Sequence, residues 1–165
     1  MQLVKKMAFL ILFASAVAAV ANAQSDSILC NEKLIAGVYG FTIEGAKLGG
    51  NGPIGPQVGV AMTEFNGDGT LSQIDSVTVD GIQIAEFSET PTKGSYTVNP
   101  DCTGSFTLNF TDGRPTVTAW FVIVDNGNEI DTVVQGVPKA VPPAAQTPGV
   151  IATRSIGKRR FTLLR

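Results

Sequence analysis

The sequence predicts an all-β fold, a small antiparallel β-barrel of about eight strands, and two observations predict it. Turn-forming runs recur at short intervals: Asn66-Gly67-Asp68-Gly69, Asp80-Gly81, Asp112-Gly113 and Asp125-Asn126-Gly127-Asn128. Between them apolar and polar residues alternate, the period of a half-buried strand, and no stretch after residue 23 holds a capped helical period. Gly and Asn accept the positive φ that tight hairpins require. Closure into a barrel removes exposed strand edges. A β-sandwich with Greek-key crossings is the alternative.

Residues 1–23 have the layout of a secretory signal peptide. Lys5 and Lys6 form a positive start, Met7 to Ala21 is apolar, and Ala21-Asn22-Ala23 is a small-x-small cleavage site before Gln24. The apolar run is shorter than the ~18 residues of a membrane span. Residues 24–165 then form one domain, placed in the periplasm or outside the cell, with the membrane met only during export. The full chain has a net charge of −2, and loss of Lys5 and Lys6 lowers it to −4. An acidic domain of this kind is not a general nucleic-acid binder.

The expected strands are 37–45, 57–65, 70–79, 82–87, 93–98, 104–111, 115–124, 129–135 and 150–164. In Ser105–Thr111, Phe106, Leu108 and Phe110 alternate strictly with polar residues, so all three should point inward. Pairing across Asp125–Asn128 places Phe121, Ile123, Ile130 and Thr132 on one face. The apolar face of 70–79 switches between Ile74 and Val77, which suggests a bulge. Leu48–Pro56 is Gly/Pro-rich and reads as a loop. Gly136–Gly149 carries four prolines and reads as an extended connection.

Cys30 and Cys102 are the two cysteines, and in an exported chain they are expected to form a disulfide. No histidine occurs, which excludes a Ser-His-Asp triad and makes a zinc site unlikely on donor chemistry. No cofactor is implied. Gly50-Asn51-Gly52-Pro53-Ile54-Gly55 matches a dinucleotide fingerprint in letters only, since Pro53 and Pro56 remove backbone donors and no helix follows.

The candidate ligand-binding residues are Tyr39, Glu64, Gln73, Asp75, Tyr96 and Trp120. A four-residue turn at Asn66–Gly69 would set Glu64 opposite Leu71, Met62 opposite Gln73 and Val60 opposite Asp75. Glu64, Gln73 and Asp75 would then share a face with apolar residues, where burial raises a carboxylate pKa. The alternatives are an outer surface or simple ion pairs. Tyr39, Tyr96 and Trp120 are polar-tipped aromatics able to orient a ligand, or to pack in the core. Arg154, Lys158, Arg159, Arg160 and Arg165 form a basic C-terminus, read either as a patch for an anionic partner or as a solvated last strand and tail.

Ala36-Gly37-Val38-Tyr39-Gly40-Phe41, Thr63-Glu64-Phe65-Asn66-Gly67-Asp68-Gly69, Gly94–Gly104 and Val122–Ile130 together resemble a group of small exported bacterial proteins of unknown function. The resemblance covers about residues 30–135. It implies a small barrel of calycin-like or allene-oxide-cyclase-like shape and an exported location, and it carries no catalytic residue. The function that follows is binding of a small apolar or amphipathic ligand in the barrel. The alternatives are a structural or interaction protein of the envelope, and a cofactor-free isomerase or cyclase. A hollow or a filled interior separates them.

Overall fold

The structure is a computed structural model that describes residues 29–88, 90–135 and 151–160. The signal-like segment 1–23, the proline-rich connection 136–149 and Arg165 lie outside the described residues. Nine antiparallel strands form: β1 (Gly37–Lys47), β2 (Gly55–Phe65), β3 (Thr70–Val79), β4 (Ile82–Ala85), β5 (Thr92–Val98), β6 (Thr103–Asn109), β7 (Val117–Val124), β8 (Glu129–Val134) and β9 (Ile151–Arg159). Consecutive strands pair except β4 and β5: β5 pairs with β3 instead, and β9 returns to β1. Eight strands therefore close into an up-and-down barrel, and β4 adds to β3 beside the ring. A closed ring excludes the sandwich. It leaves no edge among the eight to template aggregation.

The alternation that predicted the strands also sets the wall. On β3, Leu71, Gln73, Asp75, Val77 and Val79 point inward without interruption. The expected bulge at 74–77 is absent: two polar residues, Gln73 and Asp75, face in, so the apolar residues change face while the strand's alternation runs on unbroken. The register shift occurs where β4 joins, at Val77/Thr78. Phe121, Ile123, Ile130 and Thr132 share the interior, with Ile123 opposite Ile130 and Phe121 opposite Thr132, as expected.

One end of the barrel is filled and capped. Phe65 stands edge-on to Tyr39 and to Tyr96, with ring centroids 5.5 and 5.0 Å apart. Ile35, on the segment before β1, is fully buried against this cluster. Inward glycines make room for rings here. A Cβ on Gly157 would lie 2.3 Å from the Phe41 ring, and one on Gly104 would lie 2.2 Å from Phe121. Cys30 and Cys102 are joined by a disulfide across 72 residues, which ties the N-terminal segment to the β5–β6 turn.

Two turns at this end share one construction. Asn66 Nδ2 donates to Thr70 Oγ1 at 2.9 Å, while Thr70 N and Oγ1 both donate to Asp68 Oδ1. Asn99, Thr103 and Asp101 repeat these bonds. The residue before each threonine has positive φ, Gly69 at 87° and Cys102 at 67°. The shared sequence signal is Asn-x-Asp-x-Thr. The threonine bonds hold both Asp68 and Asp101 below the usual carboxylate pKa.

The basic C-terminus disperses along β9. Arg154 pairs with Glu44 and Lys158 with Glu129 on the outer surface. Arg159 turns inward at the capped end. Its guanidinium lies 5.1 Å from the Tyr39 ring centroid and donates to the carbonyl oxygens of Leu34, Ala36 and Gly127. Neither the anionic-partner reading nor the frayed-tail reading describes Arg159, which fastens the last strand to the segment before β1 and to the β7–β8 turn.

Candidate functional site: a half-hollow barrel

The other half of the barrel is hollow. Inward positions in its middle layer are small, among them Ala61, Thr63, Ala119, Thr132 and Ser155, so the wall residues do not meet across the axis. A cavity of about 550 Å³ results, and among the described residues it opens at the end away from Ile35. Eight strands give an interior that is either just filled or just able to hold one small ligand. Here the two cases divide the barrel between them.

Phe41, Phe106, Leu108 and Phe110 supply the apolar wall. The inward facing of Phe106, Leu108 and Phe110 follows the sequence expectation. Phe110, however, lies just beyond β6 and is half-buried under the Arg114 guanidinium, 3.9 Å from the ring centroid. It faces open space, so its truncation does not carry the full cost of a filled core position.

A chain of polar groups climbs one side. Thr63 Oγ1 donates to Gln73 Oε1 at 2.9 Å, and Gln73 Nε2 reaches Asp75 Oδ2 at 3.5 Å. Arg114, on the β6–β7 loop, donates to both oxygens of Asp75 at 2.7 and 2.9 Å. Its Nε donates to Asp112 at 2.8 Å. The loop is thereby drawn over the mouth and pinned to β3. Burial alone would lower the Arg114 pKa, but the bonds and charges of Asp75 and Asp112 outweigh it and the net direction is up. The β1–β2 loop, residues 48–54, covers another part of the mouth. It contains most of the Gly-rich run and is a loop, as expected.

Of the six candidate residues, Gln73 and Asp75 line the cavity. Glu64 does not: it is exposed on the outer wall. Phe65 pairs with Leu71, Thr63 with Gln73 and Ala61 with Asp75, one residue away from the expected register. The hairpin turn spans Asn66–Thr70, because Asn66 N donates to Thr70 O at 3.0 Å and Thr70 closes the turn. A slip of one residue reverses every side chain of a strand. Trp120 is also on the outer wall and 51% exposed, opposite Val133.

Tyr39 and Tyr96 lie in the capped end, outside the cavity lining. The Tyr39 hydroxyl donates to Gly127 O. The Tyr96 hydroxyl donates to Glu32 O at 3.1 Å and accepts from Gly67 N at 2.9 Å. Burial pushes both phenols above their ordinary pKa of 10.0, against the opposing effects of Arg159 on Tyr39 and of backbone donors on Tyr96. A phenol raised above its unfolded value stabilises the fold below pH 10, and this contribution is lost as pH climbs through the folded pKa. These are the only tyrosines in the chain. Absorbance titration at 295 nm should therefore show no phenol ionising with an apparent pKa of 10, and the rise should accompany alkaline unfolding. One phenol titrating reversibly near 10 in folded protein contradicts the capped-end arrangement.

The sequence reading missed Arg114 and Gln57. Arg114 had a local sign, the Asp112-Gly113 turn, but its partner Asp75 is 39 residues away. Gln57 faces inward on β2 and is only 7% exposed. Among the described residues, no three or more carboxylate, cysteine or histidine side chains converge as a metal would need. No family model, curated protein or solved structure matches the chain.

Proposed function

We propose that the chain is an exported β-barrel protein that binds one small apolar or amphipathic molecule in the hollow half of its barrel. The observation that carries this reading is the cavity of about 550 Å³ with an open mouth, mostly apolar walls and a few polar groups. Small-molecule sites commonly have this form, in the range of ~300–1,000 Å³. Export is supported by the signal-like residues 1–23 and by the Cys30–Cys102 disulfide, a bond that persists in oxidising compartments. The up-and-down closed barrel agrees with the calycin-like shape implied by the sequence resemblance.

The isomerase or cyclase reading draws less support. Both oxygens of Asp75 accept from Arg114, so that carboxylate is not free to take a proton from a substrate. The interaction-protein reading has one observation in its favour. Trp120, Val122, Val133 and Ile156 are exposed apolar residues on the outer faces of β7, β8 and β9, set around Asp131 and Arg154.

N-Phenyl-1-naphthylamine, whose emission rises in apolar surroundings, tests the proposal. Disulfide-intact protein should bind it saturably, at one molecule per chain. Ala119→Leu should weaken binding at least about tenfold, a loss of ~1.4 kcal/mol, while the fold is kept. Ala119 lines the cavity between Phe106 and Val134, so the larger side chain enters empty space. Trp120 is no reporter of occupancy, because it points away from the interior. No saturable binding, or binding untouched by Ala119→Leu, would favour the interaction-protein reading.

A further inference from the structure

Among the described residues, Gln57 makes no hydrogen bond with its side-chain amide. Its Oε1 is buried and unpartnered, although the residue lines the cavity. The strands explain why. Its cross-strand neighbours are Gly45 on β1, which has no side chain, and Val79 on β3, which has no polar atom. The nearby polar side chain on β1, Lys47, gives its ammonium to Asn51 O. A buried amide without partners is costly, so such a group persists where something else satisfies it.

The charged groups of the lining narrow the choice. Arg114 is shared between Asp75 and Asp112, and Lys47 is engaged by the rim loop. Among the described lining residues, positive and negative side chains are equal in number, and the one guanidinium, Arg114, is already paired. A carboxylate headgroup could pair only with Lys47, and only by drawing its ammonium away from the rim-loop carbonyl of Asn51. A neutral group that both donates and accepts, such as a hydroxyl or a carboxamide, matches the Gln57 amide.

The geometry points to a neutral amphipathic ligand, an apolar body bearing a hydroxyl or amide, whose polar group pairs with Gln57. This inference rests on the binding reading above and adds the class of headgroup and the residue that selects it. Displacement of N-phenyl-1-naphthylamine by 1-decanol, methyl decyl ether and decanoate tests it. The protein should prefer 1-decanol to decanoate. Gln57→Met, close to glutamine in shape, should reduce the affinity for 1-decanol relative to the ether about tenfold, and Gln57→Leu should do the same. Neither variant should lose reporter binding through unfolding, since among the described residues no protein partner of the amide is removed. Their urea midpoints should be no lower than that of the unsubstituted protein. An alcohol-to-ether ratio unchanged in both variants, or tighter binding of decanoate than of 1-decanol, overturns the inference and leaves the binding reading standing. Absence of saturable reporter binding to the unsubstituted protein overturns both.

Discussion

Replacing both cysteines, Cys30→Ala with Cys102→Ala, is expected to lower the unfolding free energy by roughly 4 kcal/mol. The bond closes a loop of 72 residues in the unfolded chain, and the entropy that it removes grows with loop length. In the folded state it holds the segment whose Ile35 fills the capped end. Cys102 has φ of 67°, a left-handed conformation that alanine shares unfavourably, so the backbone strain is common to both proteins and cancels. Urea denaturation of the oxidised protein and of the double variant measures the difference. A change below about 1 kcal/mol would show that the N-terminal segment is held by its packing alone.

Arg159→Met is expected to cost on the order of 3 kcal/mol, the other large effect. The methionine keeps an apolar stem beside Tyr39 but leaves the carbonyls of Leu34 and Ala36 without the guanidinium donor. Gly127 O keeps the Tyr39 hydroxyl. Arg154→Met is the control, because Arg154 and Glu44 are exposed and such pairs contribute ~0–1 kcal/mol. Urea midpoints of the two variants should differ widely. Equal, small shifts would show that Arg159 is solvated like its neighbours and does not fasten β9 to the segment before β1.

These residues also show which parts of the molecule were legible before the structure. Strand positions were, because alternation and turn chemistry are local signals: β3 was placed at 70–79 and is found at Thr70–Val79. The facing of Phe121, Ile123, Ile130 and Thr132 followed in the same way. The β2–β3 register was not legible. A four-residue and a five-residue turn share the letters Asn-Gly-Asp-Gly-Thr, and the Asn66–Thr70 bonds decide between them. That single residue moved Glu64 to the surface and brought Thr63 and Ala61 inside. Tyr39 and Tyr96 read from the sequence as candidates for a ligand or for the core, and which of these holds depends on their height along the barrel, set by closure through β9 and by the N-terminal segment. Arg159 looked like part of a charged tail because its partners are carbonyl oxygens, which leave no mark in a sequence. Gln57 could have been noticed as an inward polar residue on β2 once the register was known.

The hollow half of the barrel is the central claim, and a methyl chemical-shift map of the disulfide-intact protein with 1-decanol tests it most directly. Methyl groups of Ala61, Val77, Leu108, Ala119 and Thr132 line the cavity and should shift saturably together. Those of Ile35 in the capped end and of Val58 on the outer face of β2 should not move. Shifts confined to Val122, Val133 and Ile156 on the outer wall, with Ala61 and Ala119 unmoved, would contradict a ligand inside the barrel.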